Sequence, residues 1–268
     1  MGVLNVTPDS FSDGGRWLDP DAAIRHGLDL IAEGADLVDV GGESTRPGAA
    51  PVDGREERRR VVPVIEALAP LTRVSVDTRK AEVAEAAVAA GATLINDVSA
   101  TLWPVAASAG VGWVATHMQG DPATMQVDPR YHDVVAEVTQ ALTRRAQAAE
   151  AAGVSEVWID PGIGFGKTAQ HNLLLLRHLG RLVATGRRVA VGTSRKSFLG
   201  RLCPGPEGAP AAVDDRLEGS LATAVWAMSL GVAMVRVHDV RATVQAARLV
   251  GERPLERAGE PAARAAAS

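Results

Sequence analysis

Eight short runs, rich in valine and isoleucine, recur along the chain and limit what it can fold into. They read MGVLNV (1–6), LVDVGG (37–42), RVSVDT (73–78), LINDVS (94–99), GWVATH (112–117), VWIDPG (157–162), RVAVGTS (188–194) and MVRVHD (234–239). Runs so short and so rich in β-branched residues read as buried strands. The segments between them carry helical period. Ile24, Leu28 and Ile31 fall on one face of the first. In the second, a charged start from Arg55 to Arg60 gives way to Val61, Val64, Ile65 and Leu68. Segments 79–90 and 130–152 are alanine-rich with spaced charges, as surface helices are, and Leu173–Leu176, Leu179 and Leu182 supply another helix. The charges are read as the solvated faces of these helices. A strand followed by a helix, repeated, makes a parallel sheet, and eight such units close into a barrel. The predicted fold is therefore α/β: a single-domain (β/α)8 TIM barrel with parallel strands over residues 1–252. The rival is an open doubly wound sheet, but no G-x-G-x-x-G follows the first run and no half-way break appears.

Composition narrows the class. At 268 residues the chain is long for one domain by the usual rule, yet α/β barrels reach about 250 residues as one unit. With 46% hydrophobic and 22% charged residues and a net charge of −4, it has a globular balance and no bias toward nucleic acid. No run approaches the roughly 18 apolar residues of a membrane span, and no basic and apolar leader pair opens the chain. No membrane partner is expected, and the cytoplasm is the expected location. The one cysteine, Cys203, rules out an internal disulfide and is read as a buried or half-buried apolar group. Residues 203–213, CPGPEGAPAAV, read as a loop, and 253–268 as a disordered tail.

The informative pattern lies at the ends of the runs. They finish on Asn5; on Gly41, Gly42 and Glu43; on Asp77; on Asn96 and Asp97; on His117; on Asp160; on Ser194, Arg195, Lys196 and Ser197; and on Arg236 and His238. In a barrel all eight ends meet on one face, where active sites form. Taken singly, each has a plain explanation. Asp77 and Asp160 can cap helices or turns, Asn96 can cap a helix, and His117 can be a hydrogen-bonded core residue. The other histidines of helices and loops, His26, His132, His171 and His178, are read as surface residues. Their convergence points to a pocket with two ends. Asp77, Asn96 and Asp160 suit a heterocycle edge rich in N–H donors. Lys196, Arg236, His238 and Asn5 suit phosphate oxygens, and SRKSF (194–198) opens a helix whose first N–H groups, at Ser197, face an anion.

DPGIGFGKT (160–168) imitates a nucleotide loop without being one. A Walker A loop places four residues between its first glycine and the Gly-Lys pair. Here Gly162 and Gly166 have three between them, and Pro161 stands where the first glycine belongs. The glycines are read instead as turning the chain tightly and admitting a flat ring beside Phe165. Lys167 has no assigned task and is expected to be solvated or structural. Two further loops, TPDSFSDGG (7–15) and ESTRPGA (43–49), are dense in charge and hydroxyl groups and are read as mobile lids.

At these residues the chain resembles dihydropteroate synthase. The stretches that carry the resemblance are MGVLNVTPDSFSDGG, VDVGGESTRPGA, VSVDT, LINDVS, THMQGDPATMQ (116–126), IDPGIGFGKT, GTSRKSFLG and VRVHDV, in order over residues 1 to about 250. The resemblance implies a homodimeric barrel transferase of folate biosynthesis and a sulfonamide target. It would join 6-hydroxymethyl-7,8-dihydropterin pyrophosphate to p-aminobenzoate, giving 7,8-dihydropteroate and pyrophosphate. It also implies roles. Asp77, Asn96, Asp160 and Lys196 hold the pterin, with Phe165 and Met118 lining its pocket. Asn5, Arg236 and His238 bind the pyrophosphate, Asn5 also holding Mg²⁺. Phe11, Thr45, Arg46, Pro47, Lys196 and Ser197 shape the p-aminobenzoate side, and Asp13 is a further substrate-binding residue. Asp77, Asp160, Lys196, Arg236 and His238 are the catalytic candidates. Relatives carry a few residues ahead of the first strand that help plug the barrel bottom. This chain opens at the strand itself, so either its start is placed late or its floor is thinner.

Three other readings compete. A pterin-binding methyltransferase barrel would share the Asp and Asn contacts but has no need of the SRKS and RVH anion groups. A non-catalytic pterin-binding paralogue would have distorted lids. A phosphate-binding barrel of another pathway is the weakest of the three.

Overall fold

The computed structural model describes residues 1–7, 20–44, 51–122, 124–205 and 208–250. The expected tail at 253–268 and most of both expected lids lie outside these residues. In chain order the elements are β1 (Gly2–Asn5), α1 (Pro20–Ala32), β2 (Leu37–Gly41), α2 (Gly54–Leu68), β3 (Arg73–Asp77), α3 (Ala81–Ala89), β4 (Leu94–Asp97), α4 (Trp103–Ala109) and β5 (Gly112–Thr116). There follow α5 (Val134–Ala151), β6 (Val157–Asp160), α6 (Ala169–Arg177), α7 (Leu179–Val183), β7 (Arg188–Val191), α8 (Ser197–Leu202), α9 (Leu217–Ser229), β8 (Met234–Val235) and α10 (Val240–Val250). Each of the eight expected runs contains a strand. The strands pair in parallel in sequence order from β1 to β8. The ring closes where the Val3 N–H donates to the Val237 carbonyl and the Val237 N–H to the Met1 carbonyl, each at 3.0 Å.

Strand alternation sorts the side chains into two sets. Leu4, Val38, Val40, Val74, Val76, Ile95, Trp113, Ala115, Ile159, Val189 and Val191 face the helices and form the main core with them. The opposite parity faces the barrel axis in layers. At the floor, Met1, Leu37, Leu94, Val114, Trp158, Ala190 and Met234 form a separate apolar cluster, each 9% exposed or less. The floor is therefore filled by the strands' own side chains. Glu156 ties its rim, accepting two bonds from Arg73 at 2.9 and 2.6 Å and one from the Trp158 indole at 2.8 Å. Above the floor the interior turns polar, which brings chemistry to the upper mouth.

Two helices depart from the periodic reading. The face of α1 that enters the core is Ala23, Gly27 and Leu30, and Leu28 is 41% exposed. Close approach decides this: a Cβ on Gly27 would stand 2.5 Å from Leu68 Cδ1, so the small residues turn inward where α1 meets α2. The leucine-rich segment is two helices, α6 and α7, broken at His178. By contrast α2 buries Val61, Val64, Ile65 and Leu68 as expected, and starts where the Asp53 carboxylate accepts the Glu56 N–H at 2.8 Å. Cys203, expected to be at least half-buried, is exposed just past the end of α8. No helix among the described residues is long and apolar enough to cross a membrane.

Asp97, at the end of β4, is fully buried and structural. Its carboxylate accepts from the Ser99 N–H and Oγ, from the Thr101 and Leu102 N–H groups, and from the Trp113 indole. These bonds hold the turn in which Ala100 adopts a left-handed φ of 52°. Asp97→Ala leaves several buried donors unsatisfied and is expected to lower unfolding stability by about 3 kcal/mol or more. Urea titration followed by tryptophan fluorescence measures this, and a loss well under 1 kcal/mol would remove Asp97 from that role.

Candidate active site

The strand register places the upper polar residues on one level. Asn5 pairs opposite Gly41, Gly41 opposite Asp77, and Asp77 opposite Asn96. A Cβ on Gly41 would sit 3.4 Å from Asp77 Cβ and 3.7 Å from Asn5 Oδ1, so the glycine leaves room between those two side chains. Above this level opens a cavity of about 410 Å³. Asn5, Asp77, Phe165, Lys196, Ser197, Arg236 and His238 all line it. Residues 233 positions apart in the chain thus meet on one surface, from Asn5 at the end of β1 to His238 beyond β8.

Arg236 is the central cation. Its Nε donates to Asp39 at 2.6 Å and its Nη2 to Asp77 at 2.8 Å. Burial works against its charge, but the two carboxylates outweigh it and raise its pKa. Asn96 donates to the same Asp39 oxygen at 2.9 Å. Asp39 is fully buried, and its other oxygen has no hydrogen-bond partner among the described residues. The sequence reading missed Asp39. A signal was present: it is the one charge in LVDVGG and shares strand parity with Gly41, so it had to face the axis. Burial pushes the Asp77 carboxyl up to about 7, with Arg236 pulling it down and Asp39 pushing further up. With 23% of its side chain open to the cavity, Asp77 remains available to a ligand.

Lys196 enters the cavity from the loop after β7. Its ammonium donates to the Ile163 carbonyl and lies 4.6 Å from the centre of the Phe165 ring. Burial lowers its pKa to about 8, while Asp160 and Asp77 support its charge. The residue before it, Arg195, holds a left-handed φ of 57°. That strain is fixed by an ion pair to Asp239, at 3.1 and 2.5 Å, and by Ser220 Oγ accepting the Arg195 N–H at 2.9 Å. The turn sends Lys196 into the cavity and starts α8 at Ser197, which stands exposed at the rim. His238 is set by Ser194, whose Oγ meets its Nδ1 at 3.0 Å.

Three expected pocket residues lie off the cavity wall. Asn96 is turned toward Asp39. Asp160 is mostly buried and accepts the Gly162 N–H at 2.6 Å; burial raises its pKa against the opposing charge of Lys196. Met118 is half-buried and outside the lining, whereas Met125, later in the same segment, lines the cavity. Nothing in the sequence distinguishes the two methionines, because the choice depends on how that loop folds back. Phe11, Asp13, Thr45, Arg46 and Pro47 lie outside the described residues.

The glycine loop after β6 has two purposes, only one of which was expected. Gly162, Gly164 and Gly166 all hold positive φ, at 63°, 87° and 61°. A Cβ on Gly162 would stand 1.8 Å from the His117 carbonyl oxygen, and one on Gly166 would stand 2.4 Å from that of Gln119. These two glycines admit the chain's own backbone. Only Gly164 faces the cavity. Lys167 is not solvated: it is 1% exposed beneath this loop. Its ammonium donates to His117 Nδ1 at 3.1 Å, to the His117 carbonyl at 3.2 Å and to the Phe165 carbonyl at 2.9 Å, which meets all three of its donors. His117 is the buried, hydrogen-bonded histidine anticipated; burial and then Lys167 lower its pKa to about 3, so the ring is neutral. Thr168 caps α6 by accepting the His171 N–H at 3.1 Å.

By sequence the chain belongs to the pterin binding enzyme family, whose model matches residues 1–238. More particularly, it is 50% identical over 260 residues to the dihydropteroate synthase of Mycobacterium leprae, covering 94% of this chain and 92% of that protein. It is 46% identical to the Escherichia coli dihydropteroate synthase, covering 93% and 89%. Among solved structures, Xanthomonas albilineans dihydropteroate synthase with 4-aminobenzoic acid superposes with a TM-score of 0.84 at 49% identity, covering 91% of this chain and 89% of that one. The Yersinia pestis dihydropteroate synthase in complex with a sulfonamide drug superposes with a TM-score of 0.86 at 44% identity, covering 93% and 91%.

Burial lowers the Lys167 pKa from 10.5 to about 7. Between those values the unfolded chain binds the extra proton, so this group makes stability rise with pH across that window. Urea unfolding at pH 7 and about pH 9 should show that rise in the parent and not in Lys167→Met. Parallel pH dependence in both proteins would contradict the assignment.

Proposed function

We propose that the chain is a dihydropteroate synthase. It condenses 6-hydroxymethyl-7,8-dihydropterin pyrophosphate with p-aminobenzoate to give 7,8-dihydropteroate and pyrophosphate. The observation that carries this reading is the cavity wall itself: Asp77, Lys196, Arg236 and His238 meet there, in a chain half identical to the M. leprae synthase over nearly its full length.

The residues divide the work. Asp77, with Asn96 and Asp160 behind it, accepts from the N–H edge of the pterin, and Lys196 and Phe165 enclose the ring. Arg236 and His238, beyond β7 on the β8 side, and Asn5 on β1 meet the pyrophosphate oxygens. Two of the five Arg236 donors go to Asp39 and Asp77, which fix the guanidinium plane before substrate arrives. The C–O bond from the pterin methylene to pyrophosphate breaks as these groups stabilise the departing negative charge. The electron-rich ring supports cation character at the methylene, favoured by the carboxylates of Asp77 and Asp160. The neutral arylamine forms the new C–N bond and gives up a proton. No side chain is a covalent nucleophile in this sequence of events. Ser197 at the rim, with Phe11, Asp13, Thr45, Arg46 and Pro47 of the two loops, is assigned to the p-aminobenzoate side.

Magnesium fits this site by donor type. Among the described residues no three His, Cys, Asp or Glu side chains gather to hold a metal alone. The Asn5 amide oxygen is a hard donor beside the pyrophosphate position, and Mg²⁺ commonly takes few protein ligands together with substrate phosphates and water. Asn5 would hold it, and when bound it would offset charge on the leaving group.

The decisive assay mixes the pterin pyrophosphate and p-aminobenzoate, with and without Mg²⁺, and follows pyrophosphate release. Release that needs both substrates separates a synthase from a methyltransferase and from an inactive paralogue. Lys196→Ala and Asp77→Ala should each abolish turnover while staying folded, and Arg236→Ala should weaken the pyrophosphate-bearing pterin far more than a free pterin. Normal turnover in the first two, or equal losses in the third, would count against the assigned roles.

We also assign a homodimer. Leu173 on α6 and Trp226 on the adjoining α9 are 44% and 47% exposed, and the Trp226 indole donates to the Leu176 carbonyl at 2.9 Å, which fixes the ring between the two helices. Light scattering should give twice the chain mass, and Trp226→Glu should shift it toward the monomer. A monomeric parent protein at micromolar concentration would defeat this assignment.

A further inference from the structure

We propose that Lys167 is a positioning residue for the pterin half of the site, acting through Phe165. This rests on the reading of the cavity as a pterin site.

The observations begin with its burial. Lys167 is among the largest fully buried side chains, at 1% exposed, yet it does not line the cavity. A buried ammonium is costly unless every donor is met. Here the three acceptors come from two separate chain segments: the His117 ring and carbonyl at the end of β5, and the Phe165 carbonyl within the glycine loop. Lys167 is thus a cross-tie that fastens the loop after β6 to the loop after β5.

The tie acts where the cavity wall is made. The Phe165 N–H closes a turn onto the Gly162 carbonyl at 3.0 Å, while Lys167 holds the Phe165 carbonyl from below. With its backbone held from both directions, Phe165 sends its ring to the cavity and against Lys196. Tyr131 reinforces the same loop, its hydroxyl donating to the Gly166 carbonyl at 2.9 Å. The close packing at Gly162 and Gly166 explains why a tie is needed. Backbone pressed on backbone leaves no side chain to interdigitate, so polar bonds must set the position. The lowered pKa of Lys167 agrees with burial away from solvent rather than with contact to an anionic substrate.

Lys167→Met keeps the stem and removes the donors. The KM for the pterin pyrophosphate should rise about tenfold, since a displacement near 1 Å at a positioning group has effects of that order or larger. The KM for p-aminobenzoate should stay within about twofold. In a Phe165→Ala background the same substitution should add little to the pterin KM, because the effect passes through that ring. A folded variant with unchanged pterin KM, or with equal rises for both substrates, or with full additivity on Phe165→Ala, would overturn the proposal. Should Lys167→Met fail to fold, His117→Phe removes one of the three acceptors and should raise the pterin KM about threefold; no rise would overturn the proposal equally. Absence of turnover in the parent protein would instead sink the synthase reading on which this one stands.

Discussion

A cation inside the barrel, held by two carboxylates from across the ring, organises the upper half of this molecule. Arg236 follows β8, and its partners Asp39 and Asp77 stand on β2 and β3. Taking three charges from water costs several kcal/mol per ion before their attraction repays it. Hydrophobic residues of similar volume would stabilise the barrel as well or better, so stability alone does not account for the arrangement. What it supplies is placement: a guanidinium whose plane is set, and a carboxylate, Asp77, with one edge still open to the cavity.

The rest of the site depends on that placement. Asn96 shares the Asp39 oxygen, so the residues on β2, β4 and β8 are coupled through one buried carboxylate. Below them the interior is apolar down to the Trp158 floor, which keeps water from reaching these charges from beneath. After β7 the same economy of contacts recurs in another form. Arg195 accepts a strained backbone so that Lys196 can enter the cavity, and Asp239 and Ser220 hold that strain. Lys167 then secures the loop that carries Phe165. Arg236 and Phe165, which face the cavity, are thus each supported by a buried partner that does not, Asp39 and Lys167.

Those supporting partners are where reading the sequence fell short. Asp77, Lys196, Arg236 and His238 were legible because strand ends collect on one face of a barrel, and eight strand-like runs with helical spacers announce a barrel. Asp97 was visible as a strand end, but not as the acceptor of five donors, since four of them come from the following turn and one from the next strand. Asp39 sits inside a strand run rather than at its end, so only its parity marks it as inward-facing. Lys167 read as either solvated or structural, and only the fold of two loops onto each other decides for the second by burying it. Cys203 read as half-buried from its residue type, and the end of α8 leaves it in solvent.

By itself, then, the sequence determined the alternation of strand and helix, the parity of each strand, the set of polar ends and the family to which they belong. These follow from local period and short motifs, which need no knowledge of depth or distance. Tertiary structure alone decided which polar groups reach the cavity and which stay behind them, that Met125 rather than Met118 lines it, that α1 turns Gly27 inward, and that Lys167 ties two loops together. The physical reason is common to all of these. Each depends on stagger between strands and on close approach between segments far apart in the chain, and neither is written in any local stretch of residues.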